Sequence, residues 1–80
     1  MEKVEEKMKQ GVYLITYQPK IMCWGIHYLN GNSGEHELGV VTHRPENYLQ
    51  EEYSIYLDAV DSVSAFVRGC NLIRDKVEGR

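Results

Sequence analysis

DSVSAFVRGCNLIRDKV, residues Asp61 to Val77, is the stretch from which the rest of the chain is read. Val63, Phe66, Val67, Cys70, Ile73 and Val77 recur at helical spacing, while Ser62, Arg68, Asn71, Asp75 and Lys76 take the other side. The pattern predicts one amphipathic helix over 61–77, with the valine-rich set as its buried stripe. Asp61 precedes the periodic run, where its carboxylate accepts the orphan backbone N–H groups of the first turn. Gly79 lies just past the end, where a left-handed exit costs a glycine little. Gly69 in mid-helix costs about 1 kcal/mol relative to alanine. With Ala65 and Leu72 it forms a small-residue strip, which either the sheet or a partner's backbone approaches closely.

The residues before this helix read as its sheet. Val12 to Gln18 is rich in β-branched and aromatic side chains and ends at Pro19. Ile21 to Leu29 follows, with Met22, Trp24, Ile26 and Tyr28 on one face and Cys23, Gly25, His27 and Leu29 on the other. The loop Asn30-Gly31-Asn32-Ser33-Gly34 tolerates positive φ throughout, so the second strand and a third over His36 to His43 are expected to form a hairpin. Arg44-Pro45-Glu46-Asn47 ends the third strand. Tyr53 to Val60 alternates as a fourth and runs almost directly into the helix. Met1 to Gln10 reads as a short helix with Met1, Val4 and Met8 on one side, ended by Gly11, or else as a frayed arm, since ten residues are too few for a stable isolated helix. The expected architecture is a single α+β domain over 1–80, with a mostly antiparallel sheet of three or four strands and one long C-terminal helix.

Eighty residues bury only about 60% of their unfolded surface, so the stability margin is thin and association with a partner would widen it. Net charge is −3, unevenly spread. Between residues 35 and 61 seven acids (Glu35, Glu37, Glu46, Glu51, Glu52, Asp58, Asp61) face one base, Arg44. This balance lacks the basic footprint of a general nucleic-acid binder and offers an acidic face to a basic partner. Cys23 and Cys70 are far apart, each inside an apolar pattern, and stand in no C-x-x-C pair. They read as reduced thiols acting as small hydrophobes in a cytoplasmic protein. The N-terminus is charged throughout and has no signal-peptide core, and the apolar run Ile21 to Ile26 is too short to span a membrane.

Coverage decides the functional expectation. The first two strands are apolar on both faces, whereas a strand open to water normally alternates. One helix covers one face of a small sheet, so either Tyr13, Ile15 and Tyr17 or Val12, Leu14 and their neighbours are left bare, and bare contiguous apolar surface marks an interaction site. Six tyrosines, beside one Trp and one Phe, suit such a half-wet face. The partner-binding candidates are Tyr13, Ile15, Tyr17, Trp24 and Tyr28, with Glu46, Glu51 and Glu52 orienting the partner.

Other chemistry ranks behind this. Cys23 and His27 share a strand face, but three or four converging zinc ligands at the usual spacings are missing. Cys23 with His27 or His43 is the one nucleophile–base pairing on offer, and nothing in the sequence marks that thiol as activated. No Walker or dinucleotide glycine pattern occurs. Sheet aromatics could stack single-stranded bases, and the α-β-β-β-α order resembles that of double-stranded RNA-binding domains. The helix, however, opens on Asp61-Ser62-Val63-Ser64 instead of a lysine cluster, and residues 10–34 hold Lys20 as their one basic side chain. The expectation is therefore a non-enzymatic protein-interaction module without cofactor or metal. It would be a homodimer or a small regulator or inhibitor of a larger protein, in the style of a viral or mobile-element accessory protein.

Overall fold

The computed structural model describes residues 9–29, 36–45 and 51–79. Four strands and a helix follow in chain order: β1 (Gly11–Gln18), β2 (Cys23–Tyr28), β3 (Thr42–Arg44), β4 (Glu52–Ala59) and α1 (Ser62–Val77). The expected α+β architecture is present as a four-stranded antiparallel sheet with one C-terminal helix. The expected N-terminal helix lies mostly outside the described residues.

Strand order is β2-β1-β4-β3, which corrects the expected pairing of the second strand with the third. β2 instead folds back on β1, with Ile15 opposite Ile26 and Tyr17 opposite Trp24. The reversal is made by Pro19 to Met22, where Met22 N–H donates to the Pro19 carbonyl at 3.3 Å and Met22 takes φ 52°. Pro19, with no N–H to continue the ladder, stops β1, and the left-handed Met22 turns the chain into β2. β4 takes the other side of β1, with Ile15 opposite Ile55 and Tyr13 opposite Leu57. β1 and β4 are thus central, and β2 and β3 are the two edges. β3 is far shorter than its apolar pattern implied, because Leu38 meets Tyr56 only through an isolated bridge and Val40 stays exposed.

Alternation along these strands puts Tyr13, Ile15 and Tyr17, Trp24, Ile26 and Tyr28, and Tyr53, Ile55, Leu57 and Ala59 on one face. That face receives the helix. Tyr13, Ile15, Ile55, Leu57 and Ala59 form one buried cluster with Ala65 and Ile73 of α1. Val12 is buried on the opposite face.

The helix sits on the sheet differently from its periodicity. Its buried residues are Ala65, Gly69 and Ile73, whereas Val63 is 69% and Val67 54% exposed. At 3.6 residues per turn this is a rotation of roughly a quarter turn away from the valine-rich stripe. Gly69 supplies the reason. A Cβ built there would lie 2.5 Å from Ile15 Cγ1, so the sheet itself comes up against the helix backbone at that point. The small residues face the sheet, and the larger apolar ones are turned to its β2 side.

The ends of α1 follow the sequence. Asp61 is extended, and its Oδ1 accepts from Ser64 N–H at 2.7 Å. Gly79 exits at φ 76°, and Glu78 N–H donates to the Arg74 carbonyl at 2.9 Å. Asp61→Ala should lower stability by about 1 kcal/mol, since an orphan amide loses its acceptor. Asp61→Asn should keep most of it. Urea midpoints for the two variants check this, and equal losses would show that the cap oxygen contributes nothing.

Candidate functional site

The two edges of the sheet differ. β3 is three residues long, fully exposed, carries Arg44 and is followed by Pro45. Shortness, charge and proline are the devices by which proteins keep a strand edge from recruiting another chain. His43 on this strand stacks on Tyr53 at 4.1 Å and bonds Glu51 Oε1 at 2.7 Å, tying the edge to β4. β2 reads Cys-Trp-Gly-Ile-His-Tyr over six residues, with no proline and no acidic, lysine or arginine side chain. Among the described residues, no backbone pairs with its outer edge. Just before it, Ile21 and Met22 are exposed.

Above this open edge stands the apolar flank of α1. Ile26, Ser62, Val63, Phe66 and Val67 line an open hollow of about 360 Å³ between helix and strand. Phe66 also borders a second cavity, of about 380 Å³, lined by Tyr17, Trp24, Cys70, Arg74 and Val77 as well. Its aromatic wall is built by ring contacts: Tyr17 stacks on Trp24 at 4.1 Å, and Phe66 meets Trp24 edge-on at 6.1 Å. The helix is narrower than the four-stranded sheet and lies over β1 and β4, so the β2 side is left half roofed. Phe66 lines both hollows and so joins the one beside Ile26 to the one that reaches Val77.

The sequence-derived candidates divide on this geometry. Tyr13 and Ile15 are 1% and 0% exposed, so they belong to the core and cannot anchor a partner. Of the two faces left open by the sequence, the helix covers that of Tyr13 and Ile15, because Ala65 and Gly69 let it settle on β1. Tyr13 is held further by its hydroxyl, which donates to the Lys9 carbonyl. Burial raises its pKa above the usual tyrosine value, with the neighbouring Tyr28 and Asp61 adding to the shift. Tyr17, Trp24 and Tyr28 are half-buried, and they face the β2 side. Glu51 lies on the β3 side, bonded to His43, and Glu52 faces Gln18 Nε2 at 3.5 Å, one residue beyond the Tyr17–Tyr53 pair. By strand alternation Glu52 points to the sheet face opposite Tyr17 and Trp24, and Glu46 lies outside the described residues.

Sequence reasoning missed Ile26, Val63 and Val67 as surface residues because their periodicity says only that they are apolar. The mid-helix Gly69 was the signal that could have found them.

Among the described residues, no group of three or more His, Cys, Asp or Glu side chains is placed to hold a metal. Cys70 borders the aromatic cavity, but burial pushes its thiol pKa up, only partly offset by the Arg74 guanidinium. A raised pKa keeps the sulfur protonated and poorly nucleophilic. Among the described residues, no helix is long and apolar enough to cross a membrane. No protein-family model, curated protein or solved structure matches the chain.

Proposed function

We propose that this chain is a non-enzymatic protein-interaction module that docks its partner on the β2 side, using the open strand edge and the apolar flank of α1. The observation that carries the reading is the contrast between the two edges. β3 bears a charge and runs directly into Pro45, while β2 carries no proline and no acidic, lysine or arginine side chain and adjoins exposed Ile26, Val63 and Val67. An undefended edge offers main-chain hydrogen bonds, and the flank beside it offers side-chain pockets, which is the division of labour in strand-addition recognition. Trp24, Tyr17 and Phe66 are large, rigid anchors of the kind that dominate such interfaces. Glu51 is left out of the docking face and ties the β3 edge through His43.

Peptide selection on the purified chain at high dilution tests this. Selected peptides should lose about tenfold or more in affinity for an Ile26→Lys/Val67→Glu double variant, a change of about 1.4 kcal/mol or more. The helical circular dichroism of that variant should match the parent, because both positions are exposed. Peptides that bind parent and double variant equally would place recognition elsewhere and overturn the reading.

A further inference from the structure

We infer that the occupant of the β2 side is a second copy of this chain, its β2 paired antiparallel with the first so that two sheets become one of eight strands. The inference rests on the docking face proposed above and adds what fills it. A two-fold axis normal to the sheet at the β2 edge makes the strands antiparallel by symmetry, and the same surface serves both copies. It also keeps both helices on one side of the joined sheet.

Three features make β2 its own complement. First, the hollow beside Val63 and Val67 calls for an added strand with large apolar side chains on the helix side. β2 presents Trp24, Ile26 and Tyr28 there, so each copy supplies what the other lacks. Second, the strand carries no acidic, lysine or arginine side chain, so self-pairing brings no like charges together although the chain is net −3. Third, the two-fold reverses one helix relative to the other. Across the seam, the C-terminal end of each helix, with Arg74 and Glu78 on its β2 flank, runs toward the N-terminal end of its mate, so the two helix dipoles oppose. An 80-residue domain with a thin stability margin also gains from the added burial.

Sedimentation mass and a distance measurement decide it together. A nitroxide on exposed Cys23, in a Cys70→Ser background, reports the separation of the two strands' first residues. Pairing centred on the six-residue strand puts these α-carbons about 17–20 Å apart at ~3.4 Å per residue. The expected result is a dimer at tens of micromolar with that short distance, weakened about tenfold or more by Ile26→Lys. Val67→Glu, on the helix, should weaken it independently of any effect on the strand. A monomer at every concentration overturns the second-copy inference and leaves the docking face to the peptide selection. A dimer whose Cys23 labels lie well beyond the span of paired strands overturns the second-copy inference in the same way.

Discussion

Ile15→Ala should remove about 2–5 kcal/mol of stability, the range for emptying a buried isoleucine site. A chain of 80 residues has of order 4–12 kcal/mol in total, so the variant stands close to global unfolding. The cost falls toward the upper end for a geometric reason. Ile15 is fully buried in a central strand, with Ile26 and Ile55 beside it in register and the Gly69 backbone directly above. Neighbouring strands cannot close the void without breaking ladder hydrogen bonds, and Gly69 has no side chain to lower into it. Val63→Ala, at a 69% exposed position of the same helix, should cost at most about 0.5 kcal/mol and serves as the control. Urea unfolding followed by circular dichroism gives both numbers, with an unchanged slope showing that the denatured state is comparable. A melting temperature lowered by about 10 °C or more is the thermal counterpart for a domain of this size. A loss below about 1 kcal/mol would mean that the helix is not seated over this residue.

How far the sequence carried this picture depends on which residues spoke. Asp61 and Gly79 marked the ends of α1 because caps are local chemistry, complete within one turn. The bounds of β1, β2 and β4 also came within about two residues, since β-branched and aromatic alternation is local too. Strand order did not come. Asn30 to Gly34 announces a turn, but a turn does not say which strand comes next to which, and the second partner of β1, β4, is some forty residues away. β3 was over-read because Leu38, Val40 and Val41 alternate as a strand would, while Leu38 and Val40 are exposed. The candidate site was legible in kind but displaced in place. The excess of apolar surface over what one helix covers is real, yet it lies on the flank of the helix and the edge of β2. Hydrophobic periodicity weighs large side chains, whereas the closest packing is made by the smallest, so Val63 and Val67 outvoted Ala65 and Gly69. Aromatic identity likewise says nothing about depth: Tyr13 and Trp24 share one sheet face, and only Trp24 reaches its open side.

Gly69 is where fold and proposed function meet, and substituting it gives an outcome opposite in sign to the usual one. Glycine to alanine inside a helix ordinarily stabilises by about 1 kcal/mol. Here the new Cβ would stand 2.5 Å from Ile15 Cγ1, 2.9 Å from its Cβ and 3.1 Å from its Cγ2. These atoms cannot swing aside, because the β-branched Ile15 is stiff at χ1 and enclosed in a central strand. The helix must lift instead, at about 1–3 kcal/mol for overpacking, which cancels or exceeds the gain in propensity. Gly69→Ala should therefore be neutral to destabilising, and Gly69→Val should lose about 2–3 kcal/mol or more. Ile15→Ala makes room, so in combination with Gly69→Ala the losses should fall short of additivity by more than about 0.5 kcal/mol, as expected for groups in direct contact. A double-mutant cycle in urea measures that coupling. If Gly69→Ala instead stabilised by the ordinary amount and the cycle were additive, the helix would not approach β1 at this point. Its rotation would then be free to bury Val63 and Val67, and the apolar flank on which docking at β2 depends would not exist.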